Sequence, residues 1–519
     1  MKRLMALLLV GAMTAVLTVG CGASEEEPQG EGSGQEETGE ESQGDPDEIT
    51  VALMCMNPMD ESATEHVEEA LNEQLLEKVN VQADFMWFDA GTYASQIPMM
   101  IQANEDLDLM MFTPVPATGY QSYMSQNQLM DITEYIEEYG TNIQNVMGDY
   151  LDATSKDGKV YGVGCMLTLY GEEAVQMNKD VLEENGLTEQ AEKMATWDDY
   201  KELLKAVTEK TELNGVVNGD SEGSVMSPQP FLNGGEKLSD AKCVDTIGDS
   251  YQYVYADEET DEVKCYFEAE EWYESIKRVK EFYDEGLVYK DAATSQELGN
   301  VLIKNGVGFS LLGVVEDGGL ANFEGQIGHS GLLTPVIPSK VATGAFRKFG
   351  FGVPVTAKEP EAAVKVLDLM YGDTEFQDTL AWGVEGVDYE KNEDGTLTYP
   401  EGVTADSVQY HTADFLYGNK LTVTPWEGDG ADVRERQEES NGKAEKSKYF
   451  GFSVDSSDVV NEVTACKNVV DQYKPQLSAG SVDDLDSTYE EFIASLKAAG
   501  MDKIIETYQA QLDEWLAQQ

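Results

Sequence analysis

Between residues 49 and 112 the apolar side chains change period four times, and that alternation limits what the chain can become. Residues 49–54 (ITVALM) read as a strand, and Val67, Leu71, Leu75 and Val79 then share one helical face. Residues 81–88 form a second strand, and Tyr93, Ile97, Met100 and Ile101 mark a second helix, with Pro98 expected to kink it. Residues 107–112 (LDLMMF) make a third strand. Strand, helix, strand, helix, strand predicts an α/β fold: a parallel sheet with helices on its faces and ligands at the carboxyl ends of its strands.

At 519 residues the chain exceeds what one core can hold, so at least two domains are expected. The net charge of −65 repels nucleic acid and anionic lipid headgroups, leaving neutral or cationic ligands as the favoured classes. A solvated acidic surface accounts for such a charge equally well, so acidity alone names no partner.

The N-terminus carries Lys2 and Arg3, an apolar run to Val19, and then Gly20-Cys21, the order of a secretory signal peptide. Leu17-Thr18-Val19-Gly20-Cys21 resembles a bacterial lipobox, with Thr18 where leucine is more common. The resemblance implies a signal peptide over residues 1–20 and a lipid on Cys21. Residues 21–48 hold eleven carboxylates among Gly, Ser and Gln and almost no apolar side chain, so a flexible acidic tether is expected there. The remaining cysteines, Cys55, Cys165, Cys243, Cys265 and Cys466, show no CxxC and no metal-ligand spacing. Cys243 and Cys265 flank an expected hairpin, where pairing and free thiols both stay open.

Further along, Thr196 and Asp199 form a capping box ahead of a helix with Trp197, Tyr200, Leu204 and Val207 on its buried face. Trp272, Ile276, Val279 and Tyr283 mark another helix, stopped by Gly286. A Gly-rich strand at 350–354 leads into a helix opened near Pro360, with Ala363, Val366, Leu367 and Met370 inward. The last two helices show Tyr489, Phe492, Ile493 and Leu496, then Ile505, Tyr508, Leu512 and Trp515.

The stretch DLDLMMFTPVPATGYQSYMSQNQLMDITEYI, the segments KVYGVG (159–164) and VQMNKD (175–180), TWDDY (196–200) and the return through 346–389 resemble extracellular solute-binding proteins of the family-one, sugar type. The order KYFGFSVDSS, KNVVDQYKPQLSAGSVD, FIASLKAAGMDKIIETYQAQLDEW resembles the C-terminal domain of a lipoprotein subfamily of ABC-transporter binding proteins. The resemblance implies a two-lobe periplasmic-binding-protein-like fold with three hinge crossings, near residues 165–178, 346–352 and 386–395. It places a first lobe over 49–177 and 350–390, and a second over 178–349 and 391–519. It further implies a monomer on the outer face of the cell membrane, held by its lipid alone, that passes a small solute to permease subunits and binds no nucleic acid.

No HExxH, GxSxG, Walker loop or correctly placed GxGxxG is present, so no enzyme and no cofactor is expected. His66, His329 and His411 lack neighbours of metal-ligand type in sequence, and no metal site is expected. A neutral polar ligand needs aromatic faces and a few fixed hydrogen-bonding groups in a cleft. Candidates at strand ends and crossings are Asn57, Asp89, Thr113, Tyr170, Glu172, Trp382, Glu385 and Trp426, with Trp87 and Glu427 beside them. Trp382 ranks first because Gly383 and Gly386 leave its surroundings open. The resemblance to sugar-type binding proteins implies an oligosaccharide ligand, with a peptide, a polyamine or a hydrolysed glycan as alternatives.

Overall fold

The computed structural model describes residues 44–56, 59, 61–219, 224–226, 228–405 and 407–519. The calls on Cys21, the signal peptide and Asn57 fall outside them. The expected βαβαβ start is present as β1 (Asp47–Cys55), α1 (Glu61–Val79), β2 (Val81–Asp89), α2 (Ala90–Ala103) and β3 (Leu109–Phe112). Helix α2 runs on through Pro98. β1 lies parallel to both β2 and β3. The sheet is completed by β4 (Val163–Gly164) and, from far along the chain, by Gly350–Gly352, which runs antiparallel to β3 and β4. Val51, Leu53, Val67, Leu71, Leu75, Ile97 and Phe112 are all buried in the core this sheet makes with its helices.

A second sheet is built from β5 (Gly171–Asn178), β6 (Asn214–Val216), β7 (Gly308–Glu316) and β8 (Gly331–Pro338), in the order β8-β5-β7-β6. β5 is antiparallel to both neighbours, and β6 is parallel to β7. α3 (Trp197–Lys210) covers this sheet and starts with the expected Thr196–Asp199 capping box. α4 (Glu270–Asp284) follows, and Gly286 at φ +76° closes it. The return to the first sheet is followed by β9 (Gly350–Gly352), α5 (Pro360–Gly372) and α6 (Thr374–Trp382), then by α7 (Val433–Asn441). The chain ends in α8 (Val460–Ala479), α9 (Leu485–Ala499) and α10 (Met501–Leu516). These pack with Tyr266, Phe267 and Trp272 into a core of their own, in which Phe492, Leu496, Tyr508 and Leu512 are buried as their spacing predicts. The five described cysteines are free thiols, and only Cys243 among them is not fully buried.

Two expectations about the path need correction. β5 was expected to carry a crossing, but it is a central strand of the second sheet, because its run Ala174 to Asn178 is buried on both faces. The first passage is therefore residues 165–170. The chain was also expected to leave the first lobe by residue 391. Instead Tyr410, Leu416 and Tyr417 join the first core, where Tyr410 donates to Leu380 O (2.7 Å) and Tyr417 to Met54 O (3.0 Å). No third passage occurs at 386–395.

The third passage comes after α7, and all three lie side by side. Asn441 Oδ1 accepts from Leu169 N at 2.6 Å, and its amide donates to Leu167 O at 2.9 Å. Residues 340–341 pair in parallel with 445–446, and Ser339 N donates to Gly171 O at 2.8 Å. One asparagine side chain and two short backbone ladders thus tie the crossings together.

Candidate interlobe binding site

The carboxyl ends of β6 and β7 face the first lobe across a cavity of about 700 Å³. The second-lobe wall includes Gln176 from β5, residues 313–316 of β7, the Asp317–Gly319 turn after it, and Asn300 and Asn322. From the first-lobe side come Asp414, Lys420, Asp429 and the start of α7. Segment 414–420 stands there because Tyr417 is anchored to the end of β1 and because Lys420 N donates to Met166 O at 2.9 Å.

The lining is rich in carboxamides and charged side chains. Asn300 donates to Gln326 Oε1 (2.8 Å) and Gln326 to Asn322 Oδ1 (3.0 Å), a chain of carboxamides with donors and acceptors left over. Gln176 is 7% exposed and reaches the floor. Gly313 beside it leaves room, since a Cβ there would stand 2.8 Å from Gln176 Nε2. Arg434 is fixed by three bonds: Nε to Val423 O (2.9 Å), Nη1 to Gln437 Oε1 (3.0 Å) and Nη2 to Asp414 Oδ2 (2.7 Å). Arg436 bonds Asp432 on its own helix and reaches Asp317 of the second lobe at 3.2 Å, which ties the two walls together. Its guanidinium holds the Asp432 carboxyl below the usual range. Lys420 also lines the cavity and makes no ion pair among the described residues.

The charge of this lining sets it apart from the rest of the molecule. Glu316, Asp317, Asp414 and Asp429 meet Lys420, Arg434 and Arg436, so the cavity is close to neutral on a chain of net charge −65. Two of the arginines are already neutralised by the aspartates they bond.

Beside the first-lobe lip, Trp382, Tyr399, His411 and Trp426 form an aromatic cluster. The Tyr399 and Trp426 rings are 4.4 Å apart, Trp382 and His411 4.7 Å, and His411 and Trp426 5.2 Å. Trp382 is 5% exposed and its indole donates to Thr424 O at 3.1 Å. Trp426, Tyr399 and His411 are half-buried, and burial pushes the His411 pKa down. Asp429 N donates to Trp426 O at 3.0 Å, so the cluster holds the lip in place.

None of the described sequence candidates is among the residues lining this cavity. Asp89 caps α2, accepting from the Thr92 hydroxyl as well as from Thr92 N and Gly91 N, and the hydroxyl bond above all lowers its pKa. Thr113 is buried and bonds Thr118 Oγ1 at 2.6 Å, bracing the loop after β3. Trp87 packs against Phe85 and Tyr410. Glu385 is exposed and pairs with Lys391 at 3.2 Å, and Glu427 is exposed after Trp426. Tyr170 donates to Glu172 Oε1 at 2.5 Å beside a different cavity, and that bond pushes its pKa up to about 12. Trp382 and Trp426 buttress the lip. Gln176, Asn322, Lys420, Arg434 and Arg436 were missed. The arginines had a signal, since two of the chain's five stand at 434 and 436.

A two-lobed α/β molecule with three bundled crossings and a polar cavity between its lobes matches one family model in particular. The model described as bacterial extracellular solute-binding protein matches residues 72–384. The chain belongs to that family. A second model, described as a domain of unknown function (DUF3502), matches residues 448–517, the segment of α8 to α10. A carbohydrate ABC transporter substrate-binding protein of Streptococcus pneumoniae is 22% identical over 460 residues, covering 86% of this chain and 87% of that protein. The crystal structure of the N-glycan transport solute binding protein NgtS of Streptococcus pneumoniae superposes with a TM-score of 0.73 at 20% identity, over 91% of this chain and 99% of that one. An HMO-binding, ABC-transporter-associated solute binding protein from Bifidobacterium longum infantis gives 0.63 at 17% identity, over 91% and 99%. These structures share the periplasmic-binding-protein-like fold with this chain. Among the described residues no helix is long and apolar enough to cross a membrane.

Proposed function

We propose that this protein captures a neutral oligosaccharide in the interlobe cavity and delivers it to the permease subunits of an ABC importer, as a monomer that performs no covalent chemistry. The near-neutral lining of carboxamides and paired charges carries this reading. A polyamine would find only one carboxylate in excess there, whereas sugar hydroxyls find donors and acceptors at once. The names of the similar structures, N-glycan transport with bound Man1GlcNAc or Man5GlcNAc and HMO binding, point the same way. Ligand touching both walls favours the closed arrangement, the crossings absorb the rotation, and the permease reads the closed state.

The test is thermal unfolding with Man5GlcNAc, a spermidine series and a peptide pool. At a hundred times Kd a true ligand adds about 2.7 kcal/mol of stability. The glycan is expected to stabilise the protein saturably without being cleaved. Gly313→Leu, which fills the floor and displaces Gln176, is expected to weaken it at least about tenfold. Glycan turnover, or stabilisation by spermidine alone, would overturn the reading.

The N-terminal motif supports placement on the outer membrane face through a lipid on Cys21, with residues 22–48 as tether. Cys21→Ser is expected to move the protein from the membrane fraction to the medium. Unchanged fractionation would remove the anchor from the proposal.

A further inference from the structure

A second cavity of about 600 Å³ lies against the crossings and shares no lining residue with the interlobe one. Each passage contributes to its wall: Tyr170 from the first, Pro338 to Lys340 from the second, Lys443 and Glu445 from the third. The opposite wall is second-lobe hairpin, with Leu232, Val244 and Tyr255 giving an apolar surface. Lys340 ties the two walls, since its ammonium bonds Glu258 and its backbone N–H donates to Cys243 Sγ at 3.4 Å.

Glu258 supplies the polar feature. One carboxylate oxygen meets Lys340, but Oε1 is shielded from solvent and has no hydrogen-bond partner. A ligand therefore meets this carboxylate through its exposed part, 33% of the side chain, where a cationic group competes with Lys340. Around the cavity Lys242, Lys340 and Lys443 face Asp257, Glu258, Glu259, Glu271 and Glu445, a net negative surround. The volume falls within the range of small-molecule sites, which combine apolar walls with few polar groups.

We propose that this cavity binds a small amphipathic ammonium compound, its apolar body against Val244 and Tyr255 and its cationic end at the exposed side of the Glu258 carboxylate, and that the occupant tunes opening of the interlobe cleft. An occupant in contact with all three crossings meets different surfaces in the open and closed arrangements, because those segments absorb the motion. Differential affinity for the two states is what shifts their balance, and the coupling is reciprocal with the cleft ligand. The coupling rests on the oligosaccharide reading of the cleft, whereas the site itself does not.

The probes are benzylamine, phenethylamine and tryptamine, titrated calorimetrically into the full chain beside benzyl alcohol and phenethyl alcohol. One amine site per chain is expected, with the alcohols at least about tenfold weaker, as loss of a charge-assisted bond implies. Val244→Trp, which fills the cavity, and Glu258→Gln are each expected to weaken the amines about tenfold or more. Amine-saturated protein is then expected to show a Man5GlcNAc affinity changed at least about threefold, within the usual span of coupling energies, and a shifted radius of gyration by X-ray scattering. Absent amine binding, or binding indifferent to Val244→Trp, would overturn the site. Bound amine with unchanged radius of gyration would overturn the tuning. Failure of the glycan to bind at all would strike the cleft reading and leave the calorimetric and scattering results to decide this one.

Discussion

Glu173→Gln is expected to raise the melting temperature several degrees more at pH 8 than at pH 5. Glu173 sits on β5 with 0% exposure, and Asn233 Nδ2 at 2.7 Å is its one hydrogen-bond donor. Its Oε2 has no partner, and neither has Asn233 Oδ1. Burial pushes the carboxyl pKa up to about 8, and the Asn233 bond offsets only part of that. The folded protein therefore holds this proton while the unfolded chain, titrating near 4.5, has lost it. Between those values the folded state binds more protons, so stability is full below about pH 4.5 and declines as pH rises towards about 8. At 1.36 kcal/mol per unit the loss is on the order of 3–5 kcal/mol. Glutamine keeps an acceptor and a donor in that place and carries no proton to lose. The measurement is the melting temperature of both proteins from pH 5 to 9. Asp249, whose carboxyl burial raises to about 6, leaves a shallower slope in the variant at the acid end. Parallel profiles would show that Glu173 is ionised in the fold.

Helical faces were legible in this sequence because their burial repeats locally. Val67, Leu71 and Leu75 face the first core, Trp197, Tyr200 and Leu204 the second, and Phe492 and Leu496 the third, each as spaced. The crossings were not legible, for they are held by two-residue ladders and one side chain, Asn441, which no periodicity announces. Segment 391–426 was misplaced for a similar reason. Its anchors, Tyr410 and Tyr417, are isolated aromatics in irregular chain whose partners lie up to 363 residues away. Site candidates drawn from strand ends landed on Asp89 and Thr113, polar groups that the backbone itself consumes as cap and brace. The cavity draws instead on Lys420 and Arg434, in a segment whose position depends on those long-range tyrosine bonds.

Asp388→Ala is expected to cost about 3–5 kcal/mol and to weaken cleft binding with it, since removing a buried charge strands every group it held. Asp388 is 1% exposed and accepts from His66 Nε2 at 2.7 Å, Val384 N at 2.9 Å and Tyr410 N at 3.3 Å. The Trp382–Tyr389 loop is wound around this carboxylate, and His66 fastens it to α1. Gly383 lies at φ +94°, and a Cβ there would stand 2.3 Å from Asp388 Oδ2, so the turn and the acid specify each other. With alanine, Val384 N and Tyr410 N lose their acceptor, Trp382 loses its seat, and the lip at Asp429 is no longer backed by packed rings. Asparagine retains an acceptor oxygen and should recover more than half of the stability, because the backbone donors keep a partner. Thermal unfolding and Man5GlcNAc titration of Asp388→Ala and Asp388→Asn measure both effects. If alanine lowers the melting temperature by less than a degree, the loop is held by packing alone, and Trp382 returns as a side chain free to serve the ligand.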